Sequence, residues 1–306
     1  MVSKLWKSLK KTFGQFFDAN VFKLCASLSY YTAFSIGPLL LILISLIGLF
    51  FGGRESAQDR ILRQVEGLMG KNVVNQLDVM LNAFSNGHES FVGIITGTVV
   101  LLLGATSVFM DMQDSMNRLW NVKPEPGNKW WLRILVSRLL SFSLVVSIGF
   151  LLLVSLSVSA LLDSISDRLE KYFTNGLVAV FFVLNYLIVI TITSLLFFAI
   201  FKVLPDAIIK TKDAIVGSIF TALLFMLGKF LITVYITQSS FTVTYGTAAS
   251  IIILLAWVYY SSAILYLGAI FTYQYAQIAG HGVEPKKHAM KIEQEVMPKK
   301  ITSVNS

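Results

Sequence analysis

The apolar positions of this chain come in long unbroken runs rather than in isolated helical stripes. From Ile36 to Phe51, and again from Phe230 to Val283, no Asp, Glu, Lys or Arg occurs. The second run covers 54 residues, far more than a soluble core helix needs. In water it would expose more apolar surface than a soluble domain tolerates, whereas a bilayer span needs about 20 mainly apolar residues. Six spanning helices follow from the pattern: Leu24–Phe51, Phe91–Met110, Leu139–Leu162, Leu177–Val203, Ala214–Tyr235 and Thr247–Tyr273. Between the last two, Gln238-Ser239-Ser240 and Tyr245-Gly246 are the turn signals.

The connections carry a different pattern. Within Gly52–Ser90, Val73, Leu77, Met80, Leu81 and Phe84 recur at helical spacing, with Asn75, Gln76, Asp78 and Asn82 between them. This predicts one or two amphipathic helices lying on the outer surface or capping the bundle. Asp163–Tyr172 is a shorter case. The expected fold is therefore all-α: a six-helix membrane domain over 24–275, preceded by a basic cytoplasmic segment, 1–23. A polar, lysine-rich cytoplasmic tail, 276–306, is expected to be mobile and, from Glu284 on, without a fold of its own.

Charge sets the orientation. The N-terminal segment, the connections after the second and fourth spans, and the tail together hold 18 Lys and Arg; the opposite connections hold six. Both termini are therefore expected in the cytoplasm. The net charge of +8 sits mostly beside apolar spans, which favours the anionic inner leaflet over nucleic acid. Mean hydropathy is +0.71 and charged residues make up only 14%, against about 25% in an ordinary soluble protein. Cys25 is the single cysteine, so no intrachain disulfide can form. Met1–Lys23 has no short apolar core with a small-residue cleavage site, so no cleavable signal peptide is expected there.

Candidate chemistry is sparse. Lys229 is the one charge in the interior of a predicted span, away from its ends. On a helical wheel it shares a face with Ser218, Thr221, Ala222, Phe225 and Thr233, opposite Phe220, Leu223, Leu227, Phe230 and Leu231. An intramembrane ammonium belongs in a site or water cavity, or else snorkels from near a helix end. In the first span, Ser29-Tyr30-Tyr31-Thr32 precedes Ser35-Ile36-Gly37-Pro38, and the proline predicts a kink. Gly93-x-x-x-Gly97 and Gly104 suit close helix packing. Asp111 and Asp114, with Asn117, Arg118 and Trp120-Asn121, close the second span; the two acids either bind a cation or proton, pair with Arg133 or Arg138, or simply cap the membrane edge. His88, His281 and His288 lack ligand-spaced partners, so no metal site is expected. No P-loop, dinucleotide fingerprint, hydrolase or nuclease constellation is present, which speaks against an enzyme, a cofactor or a nucleic-acid partner.

Several segments, in order, resemble the YihY/BrkB family of bacterial membrane proteins. They are Leu28-Ser29-Tyr30-Tyr31-Thr32 with Gly37-Pro38-Leu39, Asn117-x-x-Trp120, Leu204-Pro205, and Asp213-Ala214-Ile215-Val216-Gly217. Ala222-Leu223-Leu224-Phe225-x-x-Gly228-Lys229, Tyr235, Tyr245-Gly246, Trp257-Val258-Tyr259 and Leu267-Gly268-Ala269 complete the set, which runs from about residue 18 to 275. The resemblance implies a six-helix protein of the bacterial plasma (inner) membrane. Relatives are linked to virulence and to export of envelope lipids; some were once labelled ribonuclease BN, which the residues above do not support. Ile270 and Met226 stand where relatives often carry an acid, so a mechanism using either carboxylate is closed to this chain.

The leading expectation is a transporter-like protein that moves or hands over an amphiphilic envelope lipid or lipid-linked precursor. Its expected substrate-binding set is Lys229, Thr221, Phe225 and Thr233 of the fifth helix, Tyr30, Tyr31 and Pro38 of the first, and Tyr245 between the fifth and sixth. The alternatives are an ion-coupled antiporter or small-solute transporter, and a non-transporting scaffold. Membrane lipids are the expected partners, with envelope proteins or a second copy of the chain as further candidates.

Overall fold

The computed structural model describes residues 2–48, 53–69, 71–86, 107–125, 176–238 and 249–292. The described residues are mostly helical. Helices α1 (Val2–Asp18) and α2 (Val21–Gly48) are followed by α3 (Arg54–Met69) and α4 (Lys71–Asn86). Helix α5 is described over residues 107–119. Then come strand β1 (Val122–Pro124), α6 (Gly176–Val203), β2 (Ala207–Ile208), α7 (Thr211–Gln238), α8 (Ala249–Ala279), β3 (Glu284–Pro285) and β4 (Ala289–Lys291). Three segments among them are long and apolar enough to cross a membrane: Tyr186–Val203, Thr211–Ile232 and Ile251–Ala279. These correspond to the fourth, fifth and sixth expected spans, and α2 covers most of the first. The third span, most of the second, Asp163–Tyr172 and residues 293–306 lie outside the described residues.

Helix ends follow local chemistry. Asn20 (φ 53°) and Asn121 (φ 54°) adopt the left-handed conformation after α1 and α5, which asparagine tolerates better than other side-chain-bearing residues. After α8, Gly280 (φ 85°) lets the chain reverse, and the His281 and Gly282 amides return to the Ala276 carbonyl at 3.1 Å. Asp213 lies in the first turn of α7, where a carboxylate complements the helix dipole. Helix α2 continues through Gly37-Pro38.

Helix α8 is the hub, packing on α1, α2, α4 and α7, while α6 packs on α7. The amphipathic pattern of the connection between the first two expected spans falls on two helices, α3 and α4. They bury Ala57, Ile61, Leu62, Leu77 and Leu81 within the core, and Gln58 Nε2 donates to Asp78 Oδ1 at 2.9 Å to join them.

Helix α1 occupies most of the basic N-terminal segment, within the all-α expectation, and the short strands depart from it. The residues from Glu284, expected to lack a fold of their own, form β3 and β4 as far as Lys291. Strand β4 pairs antiparallel with β1 (Val122↔Lys291, Lys123↔Met290, Pro124↔Ala289), and β3 pairs with β2 (Ala207↔Pro285, Ile208↔Glu284). A lysine-rich composition does not prevent this, because strands this short take their order from the backbone groups they pair with.

Candidate functional site: a polar lock and a glycine–threonine clasp

Four stretches distant in sequence meet at one end of the bundle: the end of α1, the end of α5, the α6–α7 loop and the segment after α8. Asp206, buried in the α6–α7 loop, is the centre. Its Oδ1 accepts from Gln113 Nε2 (3.0 Å) and lies 3.1 Å from His288 Nε2, and its Oδ2 accepts from Asn117 Nδ2 (2.9 Å). The Asn117 Oδ1 in turn accepts from the Asp206 amide at 2.7 Å, which fixes which way the Asn117 amide faces. A buried carboxylate is tolerable only when paired or hydrogen-bonded, and these donors supply that. Lys286 donates through its amide to the Asp206 carbonyl (2.9 Å) and through Nζ to the Val203 carbonyl (3.2 Å). Burial pushes the Lys286 ammonium below its ordinary range, and the charge of Asp206 opposes that fall.

A second pair closes the same end. Buried Asp213 meets His281 Nδ1 at 2.9 and 3.1 Å. Beside it, Trp120 Nε1 donates to the Ala269 carbonyl at 2.9 Å, and Asn121 Nδ2 donates to the Tyr273 hydroxyl at 3.3 Å. Trp120 is fully buried. Among the described residues no group of three or more His, Cys, Asp or Glu could hold a metal ion.

Helices α7 and α8 run antiparallel and grip each other reciprocally. A Cβ built on Gly217 of α7 would lie 1.9 Å from Thr272 Oγ1 of α8, and one on Gly268 of α8 would lie 2.0 Å from Thr221 Oγ1 of α7. Each threonine hydroxyl donates to the carbonyl of its own helix's glycine: Thr221 to Gly217 and Thr272 to Gly268, both at 2.7 Å. Each threonine thus satisfies its own hydroxyl internally and fills the gap left by the glycine opposite. Close backbone approach through small residues is how membrane helices associate without a hydrophobic drive.

The described members of the expected binding set lie in different surroundings. Thr221 is buried in the clasp, and Phe225 packs edge-on against Phe197 (5.9 Å) and near Trp257 (6.5 Å). Ser218 and Ala222 share the buried face as the wheel expects, but Lys229 is exposed and Phe220 stacks on Phe271 at 4.0 Å. The ideal wheel separates these residues by angle alone; α8 covers Phe220, whereas Lys229 is exposed. Tyr30 and Tyr31 are exposed on α2, with the Tyr30 ring 4.9 Å from Phe34. Pro38 and Thr233 lie within α2 and α7, their side chains outside the description, and Tyr245 lies outside the described residues. Of the two acids at the end of the second span, Asp111 accepts from Ser27 Oγ at 2.7 Å and Asp114 is exposed; Arg133 and Arg138 lie outside the described residues.

The family model for the virulence factor BrkB matches residues 12–293 of this chain. The chain belongs to the BrkB family. Several of the segments that carry the resemblance come together in the structure. Asn117 and Trp120 reach the α6–α7 loop and Ala269; Asp213 reaches His281; Gly217 and Gly268 form the clasp. Among similar proteins is a UPF0761 membrane protein of Nitrosospira multiformis, 28% identical over 88% of this chain and 62% of its own length. Another, from Verminephrobacter eiseniae, is 27% identical over 87% of this chain and 62% of its own. A third, from Pseudomonas aeruginosa, is 27% identical over 80% and 57% respectively. The BrkB-family chain described here thus spans about 60% of the length of these relatives. No solved structure matches it.

The sequence reading missed Gln113, Asp206 and the histidine partners. His281 and His288 have no ligand-spaced neighbour in sequence; each meets an acid at least 68 positions away. The Leu204-Pro205 element of the family pattern was the usable signal, because Asp206 directly follows it.

Proposed function

We propose that this BrkB-family membrane protein is transporter-like and moves or hands over an amphiphilic envelope lipid or lipid-linked precursor along its lipid-facing surface. One observation carries the reading: Lys229 is exposed on α7 among exposed Leu227, Phe230, Leu231 and Tyr235, while the opposite face of the helix is locked into α8. Lys229 follows Thr211 by about five turns, roughly 27 Å along the axis, close to the full depth of a bilayer core of about 30 Å. An amine there meets headgroups while its neighbours meet chains. A molecule that answers to both is amphiphilic and anionic at its head. The exposed Tyr30, Tyr31 and Phe34 of α2 add an aromatic face open to lipid. The bacterial plasma membrane, with both termini in the cytoplasm, is part of the same proposal.

The test compares lipid movement across reconstituted vesicles for wild type, Lys229→Met and Lys229→Arg at matched protein abundance. Methionine is expected to fold normally and to lose most of the activity; arginine keeps the charge but not the shape and is expected to retain part of it. Vesicles carrying wild type that move lipid no faster than empty ones would sink the reading.

A second reading, an ion-coupled transporter, draws on Asp111. Its Oδ2 is buried without a hydrogen-bond partner among the described residues. An unsatisfied buried carboxylate oxygen invites a proton, a water or a cation. Proton or Na⁺ flux that disappears in Asp111→Asn would put this reading first.

A further inference from the structure

Helix α1 exposes large aromatic side chains and buries polar ones. Beside buried Phe16, Ser8 and Thr12 are fully buried, their hydroxyls donating to the Lys4 and Ser8 carbonyls at 2.8 and 2.7 Å. Gln15 Nε2 donates to the Leu119 carbonyl (2.8 Å), and Gln15 Oε1 accepts from Gln274 Nε2 (2.7 Å), pinning α1 to the end of α5 and to α8. The large apolar side chains face away from the protein: Trp6 is 71% exposed, Phe13 54% and Phe17 63%. Just beyond, Phe22 is 49% exposed and its ring lies 6.1 Å from that of Phe17.

The angles sort the helix into three faces. At 100° per residue, Trp6, Phe13 and Phe17 fall within about 40° of one another. Ser8, Thr12, Gln15 and Phe16 form the packed sector on one side. Lys4, Lys7, Lys10 and Lys11, all exposed, fill the sector between the aromatic and packed faces, with Lys10 next to the aromatics. In water this arrangement would leave three large aromatic rings exposed beside four like charges, with nothing gained. At an anionic lipid surface every sector is matched: rings enter the headgroup–chain boundary, ammonium groups meet phosphates, and the polar face holds the protein.

We propose that α1 lies in the plane of the inner leaflet as an anionic-phospholipid-binding helix, with Trp6, Phe13, Phe17 and Phe22 inserted and Lys4, Lys7, Lys10 and Lys11 on headgroup phosphates. This is independent of any transport by Lys229, which lies near the other end of its span.

Fluorescence of the full chain in nanodiscs tests the helix directly. Trp6 is one of five tryptophans, so its contribution is the difference between wild type and Trp6→Phe. In discs containing phosphatidylglycerol, that difference spectrum is expected to be blue-shifted. It is expected to be strongly quenched by lipids brominated near the headgroup and little quenched by aqueous iodide. Changing Lys4, Lys7, Lys10 and Lys11 together to Gln should remove most of the difference between anionic and purely zwitterionic discs. A red-shifted Trp6 component, quenched by iodide and not by brominated lipid, overturns the proposal and leaves α1 a water-exposed helix. Brominated-lipid quenching that is equal in anionic and zwitterionic discs, and unmoved by the four substitutions, overturns the anionic specificity. Helical content by circular dichroism, unchanged between variants, excludes unfolding as the cause.

Discussion

A methyl group at Gly217 or Gly268 collides with a threonine whose hydroxyl is already tied to its own helix, so neither neighbour can swing aside. Gly217→Ala and Gly268→Ala are each expected to destabilise the α7–α8 pair by about 1–3 kcal/mol, read as a lower thermal midpoint in detergent. At Gly228 the added Cβ would come still closer, 1.0 Å from the Tyr260 hydroxyl, yet that atom is the tip of a longer side chain. Gly228→Ala is therefore expected to cost less, and Tyr260→Phe should relieve part of the cost in the double variant; strictly additive losses would count against this account. The Asp206 lock makes a different demand. Three donors converge on its two carboxylate oxygens, so Asp206→Asn turns one oxygen into a donor facing a donor. Both Asp206→Asn and Asp206→Ala are expected to lower stability by about 1–3 kcal/mol, and a stability scan that separates asparagine from alanine as harmless would refute the lock.

Strands β3 and β4 hold the end of the bundle by backbone pairing rather than by apolar burial. A stop after Val283 removes both ladders and the contacts of Lys286 and His288, whereas a stop after Ile292 keeps them. With each net backbone bond contributing about 1 kcal/mol, the shorter chain is expected to show a clearly lower thermal midpoint and abundance than the longer one. Short strands of this kind are invisible to sequence periodicity, since two or three residues show no alternation. The long elements were legible for the opposite reason. Helices α6, α7 and α8 follow expected spans, and the Leu77–Leu81 spacing marked the buried stripe of α4. Helix α1 escaped because its aromatic stripe looks weak beside its lysines until the packed face is seen to be the polar one. The lock escaped because its members come from α5, the α6–α7 loop and the segment after α8, with bonded partners 82 to 93 positions apart, and only the fold sets them side by side.

For the whole molecule, orientation is the property most open to a decisive test. Cysteines placed singly at exposed Lys10, Lys291 and Asn75, with native Cys25 buried and so nearly silent, report the side of each segment. Those at positions 10 and 291 are expected to be shielded by an intact plasma membrane and the one at 75 to react from outside; labelling at position 10 from outside would reverse the assignment. That Lys10 and Lys291 belong to the same end is consistent with the contacts of α1 with α5 and of β1 with β4. The pairing of Val122 with Lys291 also sets an order of events in synthesis. A chain emerges from its N-terminus, so β1 and the loop holding Asp206 are made long before the residues that complete them. Until α8 has entered the membrane and Glu284–Lys291 has followed, both loops keep open backbone edges and Asp206 and Asp213 lack their histidines. Closure of that end is the last act of assembly, and an unfinished or wrongly inserted chain carries its incompleteness on the surface, where a membrane protease can find it.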